Sequence, residues 1–244
     1  GVVASASYEA RKFGIHSAMP LYKARKLCPH GIFVRGSHRR YVEFSRRIFI
    51  ILQQYTPTVE ITSIDEGYLD LSGTEQMHRA WLTSGQPDYF AIASRMLKEV
   101  KEKVGLTLSG GLATSRVVAK IAASRFKPHK LTYVWPGYER DFLAPLSLQT
   151  MPGIGPRTLP KLQKFGLRTL GDLAAMPFDT VWQWMGGYGI EMWERAQGID
   201  RRPVESEPSE RKSISEEKTF DTDIHDTAIL IDEALAMLRS LCFK

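Results

Sequence analysis

The stretch Val59-Glu-Ile-Thr-Ser-Ile-Asp-Glu-Gly-Tyr-Leu-Asp-Leu71 is rich in β-branched and aromatic residues, yet it sets two adjacent acids, Asp65 and Glu66, at its centre. That composition reads as a strand pair or a bent strand. Unpaired charge in a buried strand is costly or forces protonation. Side chains alternate faces along a strand, so neighbouring carboxylates diverge unless a turn or bulge intervenes. Gly67 gives the backbone the flexibility for such a bend. A bend would let both acids converge on one hard cation, and Mg²⁺ takes one or two carboxylates together with substrate phosphates. A bare Asp-Glu-Gly equally fits a solvent-facing turn whose acids are merely solvated.

The flanking chain supplies context. Residues 1–7 alternate small and apolar as a short strand would, and opening in mid-strand implies a missing upstream piece. Tyr8–Phe13 reads as a helical turn ending at Gly14, and Pro20–Leu27 as a short helix. Residues 38–55 place Tyr41, Phe44, Ile48 and Ile51/Leu52 at helical spacing, up to Pro57. Strands at 59–71, 106–113 and 130–135 alternate with helices at 88–103 and 115–124, the pattern of an α+β or α/β layer. After Pro145 compact helices are separated by glycine turns. Residues 201–213 are charged and carry two prolines, as a linker does. A strand at Ser215–Phe220 and a helix at Ala228–Leu241 follow. One strand and one helix cannot close a core, so a truncated C-terminal domain is expected.

The 244 residues are 43% hydrophobic and 25% charged, an ordinary globular balance with material for one or two domains. Lys and Arg exceed Asp and Glu by 33 to 27. That modest excess suits a polyanion but does not by itself specify one. Cys28 and Cys242 fit no redox or metal spacing, which points to a reducing compartment. The six histidines form no ligand pair. No apolar run approaches the roughly 20 residues of a membrane span, and no secretory signal opens the chain.

Two further constellations carry chemistry. Pro152-Gly-Ile-Gly-Pro-Arg-Thr-Leu-Pro-Lys-Leu-Gln-Lys-Phe-Gly166 has the form of a helix–hairpin–helix. There Gly153 and Gly155 let backbone N–H groups approach a phosphate without reading sequence, and Lys161 and Lys164 add charge. A plain helical hairpin with a glycine turn is the simpler alternative. The second constellation is basic: Tyr8, Arg11 and Lys12, with Lys120, Arg125, Lys127 and Lys130. Cations converging near a metal-bound carboxylate pair suit a triphosphate, although each alone is an ordinary surface residue. Gly110-Gly-Leu-Ala-Thr-Ser115 lacks the Gly-Lys-Thr/Ser ending of a Walker loop.

In this order the pieces resemble the Y-family, or translesion, DNA polymerases, and within them the DNA polymerase IV (DinB) branch. The resemblance is carried by Ala4-Ser-Ala-Ser-Tyr-Glu-Ala-Arg-Lys-Phe-Gly14, Ser63-Ile-Asp-Glu-Gly-Tyr-Leu-Asp70, Val118-Ala-Lys-Ile-Ala-Ala-Ser-Arg-Phe-Lys-Pro128 and Met151-Pro-Gly-Ile-Gly155. It runs over essentially the whole chain and implies an α+β architecture. The implied divisions are fingers at 1–37, a mixed-sheet palm at 38–140, a helix–hairpin–helix thumb at 141–204, and a linker with the start of a little finger at 205–244. Asp65 and Glu66 match two metal-binding carboxylates that serve two Mg²⁺ ions in nucleotidyl transfer. Ser5, Tyr8, Arg11 and Lys127 match positions around the incoming nucleotide. Gly153, Gly155, Lys161 and Lys120 are the expected DNA contacts. The implied partners are primer–template DNA, dNTP and a sliding clamp, for a monomer in the cytoplasm at the nucleoid. The family's first metal-binding Asp and its aromatic ribonucleotide gate lie upstream of Ala4, so residues 1–244 alone are expected to be inactive. The alternatives are an inactive polymerase-like accessory protein of the damage response, which retention of both acids argues against, and a non-polymerase DNA-binding module around 145–204.

Overall fold

The computed structural model describes residues 1–83, 86–207, 212–220 and 222–243. They fall into two compact units, Gly1–Ser206 and Glu207–Lys244.

The first unit begins with helices α1 (Tyr8–Arg11), α2 (Leu21–Leu27) and α3 (His38–Leu52). The alternating segment 1–7 does not become a strand. It makes one isolated bridge, Val2 to Pro20, and Val3 donates its N–H to the Met19 carbonyl while its own carbonyl accepts from Ala18. The segment then turns into α1, whose first turn is capped by the Ser7 hydroxyl accepting from the Ala10 N–H. Helix α3 presents Phe49, Ile51 and Leu52 to the interior, matching its apolar spacing.

Strands β1 (Thr58–Ile61) and β2 (Gly67–Asp70) form an antiparallel hairpin in which Glu60 faces Tyr68 across the ladder. Gly67 acts differently from the expectation. A Cβ there would lie 2.6 Å from a Phe49 ring carbon and 2.9 Å from the Glu60 carbonyl oxygen. Its role is close packing of the hairpin on α3. The small strands β3 (Leu82–Thr83) and β4 (Gln86–Pro87) lead to α4 (Tyr89–Val104), and a parallel pair follows: β5 (Gly110–Leu112), α5 (Arg116–Arg125) and β6 (Leu131–Tyr133). Among the described residues these ladders are separate two-stranded sheets. The composition stays α+β, but the strands around the carboxylates and those around α5 do not share one ladder.

The remainder of this unit is helical: α6 (Glu139–Leu143), a 3₁₀ turn at Leu148–Thr150, α7 (Leu159–Lys164), α8 (Leu170–Ala174) and α9 (Phe178–Ala196), which kinks at Gly186. Three apolar clusters hold the unit together. Val3, Ile15, Met19, Ala24 and Cys28 form the first, and Phe49 to Val104 the second. The third joins Val117, Val118, Ile121 and Ala122 of α5 to Leu143, Leu148, Leu170 and Met192. Helix α5 therefore shares its core with the helical segment beyond residue 141.

In the second unit α10 (Thr227–Cys242) is capped by the Asp226 carboxylate, and Lys218 pairs with Glu233 at 2.6 Å. Ser215–Phe220, expected to be a strand, has no regular structure. A strand exists through its partner's hydrogen bonds, and no described residue of this unit supplies that partner.

Candidate active site

Residues 62–66 make the turn between β1 and β2. The N–H groups of Thr62 and Ser63 both donate to the Glu66 carbonyl at 3.1 Å. The Ser63 hydroxyl accepts from the N–H groups of Asp65 and Glu66, at 3.3 and 3.1 Å, and donates to Asp65 Oδ1 at 2.7 Å. A hydroxyl that accepts from backbone N–H groups two and three residues ahead is the reason serine suits such turns. The turn lifts both carboxylates out of the strands into exposed positions, so the desolvation cost that a strand interior would impose does not arise.

Glu66 meets α5 directly. Lys120 Nζ lies 2.7 Å from Glu66 Oε2, with side-chain exposures of 36% and 49%. This hydrogen bond, joined by the charges of Glu66 and Asp65, raises the Lys120 ammonium above the usual lysine value. Glu66, Lys120 and Gly153 line one pocket of about 410 Å³ with Tyr68, Arg116 and Arg195. Its wall carries four cations, Arg116, Lys120, Arg195 and Arg202, each of them in an ion pair, and Glu66 is the one carboxylate residue among the lining residues.

Of the wall's cations the sequence singled out Lys120 but not the three arginines. Arg116 Nη2 binds Glu60 Oε1 at 2.6 Å, its Nη1 donates to the Pro203 carbonyl at 2.5 Å, and its guanidinium lies 4.4 Å from the centre of the Tyr68 ring. The second Glu60 oxygen accepts the Glu205 N–H at 3.0 Å. Arg202 is bidentate on Asp200, and Arg195 pairs with Glu191 one turn back on α9. A signal for Glu60 was present, since it is a lone acid between Val59 and Ile61.

The other expected residues lie elsewhere. Arg11 rests 5.3 Å from the Tyr8 ring and donates through Nε to the Ala6 carbonyl at 3.1 Å, so these two are held together on α1 with exposed Ser5 just before it. Lys127 is exposed beyond the end of α5, and Lys161 is exposed on α7. None of these lines the pocket. At the hairpin Gly153 has φ +101°, a conformation that glycine adopts without penalty. Its carbonyl accepts the Tyr188 hydroxyl at 2.6 Å. A Cβ on Gly155 would meet nothing within 4 Å, and neither glycine N–H donates to a described carbonyl. The element before the hairpin is the 3₁₀ turn at Leu148–Thr150 in place of an α-helix.

Hard oxygen donors on an exposed, hydrogen-bonded turn, open to solvent and beside a pocket lined by paired cations, fit an oxophilic divalent ion that completes its shell with water or phosphate. Among the described residues no group of three or more Asp, Glu, His or Cys side chains is placed to hold a metal. Also among them, no helix is long and apolar enough to cross a membrane.

The fold is that of Y-family DNA polymerases. It matches the crystal structure of DinB from Sulfolobus solfataricus with a TM-score of 0.72 and 31% identity, covering 84% of this chain and 58% of that one. It matches an insertion ternary complex of Dbh DNA polymerase with a TM-score of 0.73 and 30% identity, at the same coverages. The model of the impB/mucB/samB family matches residues 1–124, and that of the IMS family HHH motif matches residues 136–167. The chain belongs to the impB/mucB/samB family. It is 44% identical over 230 residues to the DNA polymerase IV of Dehalococcoides mccartyi (strain CBDB1), covering 94% of this chain and 57% of that protein. To the DNA polymerase IV of Caulobacter vibrioides it is 39% identical over 244 residues, covering all of this chain and 58% of that protein. The chain thus spans a little over half the length of these relatives.

Proposed function

We propose that the protein carrying this sequence performs template-directed DNA synthesis past lesions, transferring a nucleotidyl group from dNTP to a primer 3′-hydroxyl. The observation that carries the proposal is the Ser63-organised turn, which presents Asp65 and Glu66 beside a pocket lined by arginine and lysine side chains that includes the hairpin glycine Gly153. Relatives named DNA polymerase IV support it. In this reading Asp65 and Glu66 would hold two Mg²⁺ ions, which when bound would supply charge neutralisation and a more acidic attacking hydroxyl.

The chain's own groups do the rest. Tyr8 and Arg11, already pre-positioned against each other, bind the triphosphate, with Ser5 and Lys127 contributing further contacts. Cations fixed before substrate arrives stabilise charge on the phosphates at less reorganisation cost. The N–H groups of Gly153 and Gly155, with Lys161 and Lys120, hold the DNA backbone without reading sequence. Residues 1–37 act as fingers, 38–140 as palm, 141–204 as thumb, and 205–244 as linker and the start of a little finger. The working protein is a monomer at the bacterial nucleoid in the cytoplasm, and it meets a sliding clamp.

Primer extension tests this. Asp65→Asn in the protein that carries this sequence should lower extension by several orders of magnitude, and a drop below tenfold would show that the wrong carboxylate has been chosen. Residues 1–244 alone are proposed to extend a primer little or not at all, because a two-ion site shares more ligands than one turn provides. Robust extension by that chain would refute this part.

A further inference from the structure

The Lys120–Glu66 pair raises a question that the proposed synthesis leaves open. Asp65 and Glu66 sit side by side on one turn, and two adjacent carboxylates repel. The described cation within hydrogen-bond reach of this pair is Lys120, 2.7 Å from Glu66 Oε2. It projects from α5, whose Val117, Val118 and Ile121 are locked into the third core. The helix is therefore a fixed mount, and the flexible part is the lysine stem. Arg116, one turn earlier on α5, is committed to Glu60 and the Pro203 carbonyl and cannot replace it.

We propose that Lys120 is the internal counter-ion of the acidic turn. Without a divalent cation its ammonium neutralises Glu66 and holds the turn in place; when a divalent cation binds, the ammonium is displaced. The inference rests on the reading of Asp65 and Glu66 as cation ligands. An ammonium and a hard divalent cation compete for the same carboxylate oxygen, so apparent metal affinity is reduced by the occupancy of the ion pair. The displaced charge faces the pocket that also holds Arg116 and Gly153, where it is available to a phosphate. Lys120 thus serves the carboxylates first and the nucleic-acid backbone second, and metal loading and phosphate binding become linked through one side chain.

The test uses Mn²⁺ as the probe and needs no activity. In titrations followed by electron paramagnetic resonance, Lys120→Met should bind Mn²⁺ about three- to fivefold more tightly than the unaltered chain, the size expected for losing a half-exposed competing pair. Lys120→Arg, which keeps the charge and the reach, should restore the original affinity. In parallel, saturating Mn²⁺ should accelerate acetylation of Lys120 several-fold, measured by mass spectrometry, and leave Lys161 unchanged. Unchanged or weaker Mn²⁺ affinity in Lys120→Met, or labelling of Lys120 indifferent to Mn²⁺, overturns the inference. Asp65→Asn and Glu66→Gln separate it from the reading beneath it. If they weaken Mn²⁺ binding while Lys120→Met fails to strengthen it, the counter-ion role alone is wrong. If they leave Mn²⁺ binding unaltered, or if neither the unaltered chain nor Lys120→Met binds Mn²⁺, both readings fall.

Discussion

Glu60→Gln is the substitution that most directly tests how the site is braced. Glu60 uses both oxygens as acceptors, one for Arg116 Nη2 and one for the Glu205 N–H. Glutamine has nearly the same shape but offers one acceptor and one NH₂, so whichever way the amide turns, a donor faces a donor. The side chains of Arg116 and Glu60 are 14% and 21% exposed, so solvent recovers only part of the loss. Arg116 Nε already lies buried with no partner, which leaves the guanidinium little freedom to find substitutes. Removing one member of a fully buried pair costs about 3–5 kcal/mol, and a hydrogen bond to a charged group contributes about 1.5–3 kcal/mol. For this partly exposed pair the lower range applies, about 2–3 kcal/mol. With a urea slope of roughly 2–3 kcal/mol/M, the unfolding midpoint should fall by about 1 M. Loss of the Glu205 contact should also make the chain around residues 203–206 more sensitive to brief proteolysis. The double variant Glu60→Leu/Arg116→Met should recover much of the stability, because apolar replacement of both partners removes the desolvation cost along with the pair. A midpoint for Glu60→Gln within about 0.2 M of the unaltered chain would refute the bracing role, since that shift corresponds to roughly 0.5 kcal/mol.

Three other substitutions probe the frame behind the site. A Cβ at Gly111 would collide with the Ala119 carbonyl oxygen and lie 2.6 Å from the Ala123 backbone nitrogen, both in α5, so Gly111→Ala should cost about 1–3 kcal/mol by forcing that helix off its strand; a thermal midpoint equal to the unaltered chain's would contradict this contact. Thr169→Ala removes the hydroxyl that caps α8 and should cost about 1 kcal/mol by denaturant titration. The reciprocal partner, Asp172, is held below the usual carboxylate range chiefly by the N–H groups of Arg168 and Thr169. Its contribution is therefore present above its unfolded value of 3.8 and lost as pH falls through the lower folded value. Asp172→Asn should flatten the acid limb of the stability profile below about pH 4, and an unaltered limb would remove Asp172 from the account.

The turn that carries Asp65 and Glu66 was legible because its signals are local. The clash between two acids and a β-branched run could be resolved by a turn or by a bulge, and the structure puts a turn there. Helices α3, α4 and α5 follow apolar spacings that need only neighbours along the chain. What could not be read depends on distant residues. Ser215–Phe220 has strand composition, but pairing is a property of a second segment. Gly67 looked like a hinge because a glycine in a strand has several uses, and only the position of Phe49 distinguishes close packing from bending. The cationic wall is the clearest case, for Arg116 reads as the start of a helix and Arg202 as part of a charged linker. Their meeting depends on register. The turn at 62–66 sets Glu60 opposite Tyr68, and a slip of one residue would move Glu60 to the other face of the hairpin. Arg116 would then lose its carboxylate, and residues 203–205 their attachment. The Ser63 bonds that shape the turn therefore act twice, presenting Asp65 and Glu66 at its tip while fixing the register that lets Glu60 hold the wall behind them.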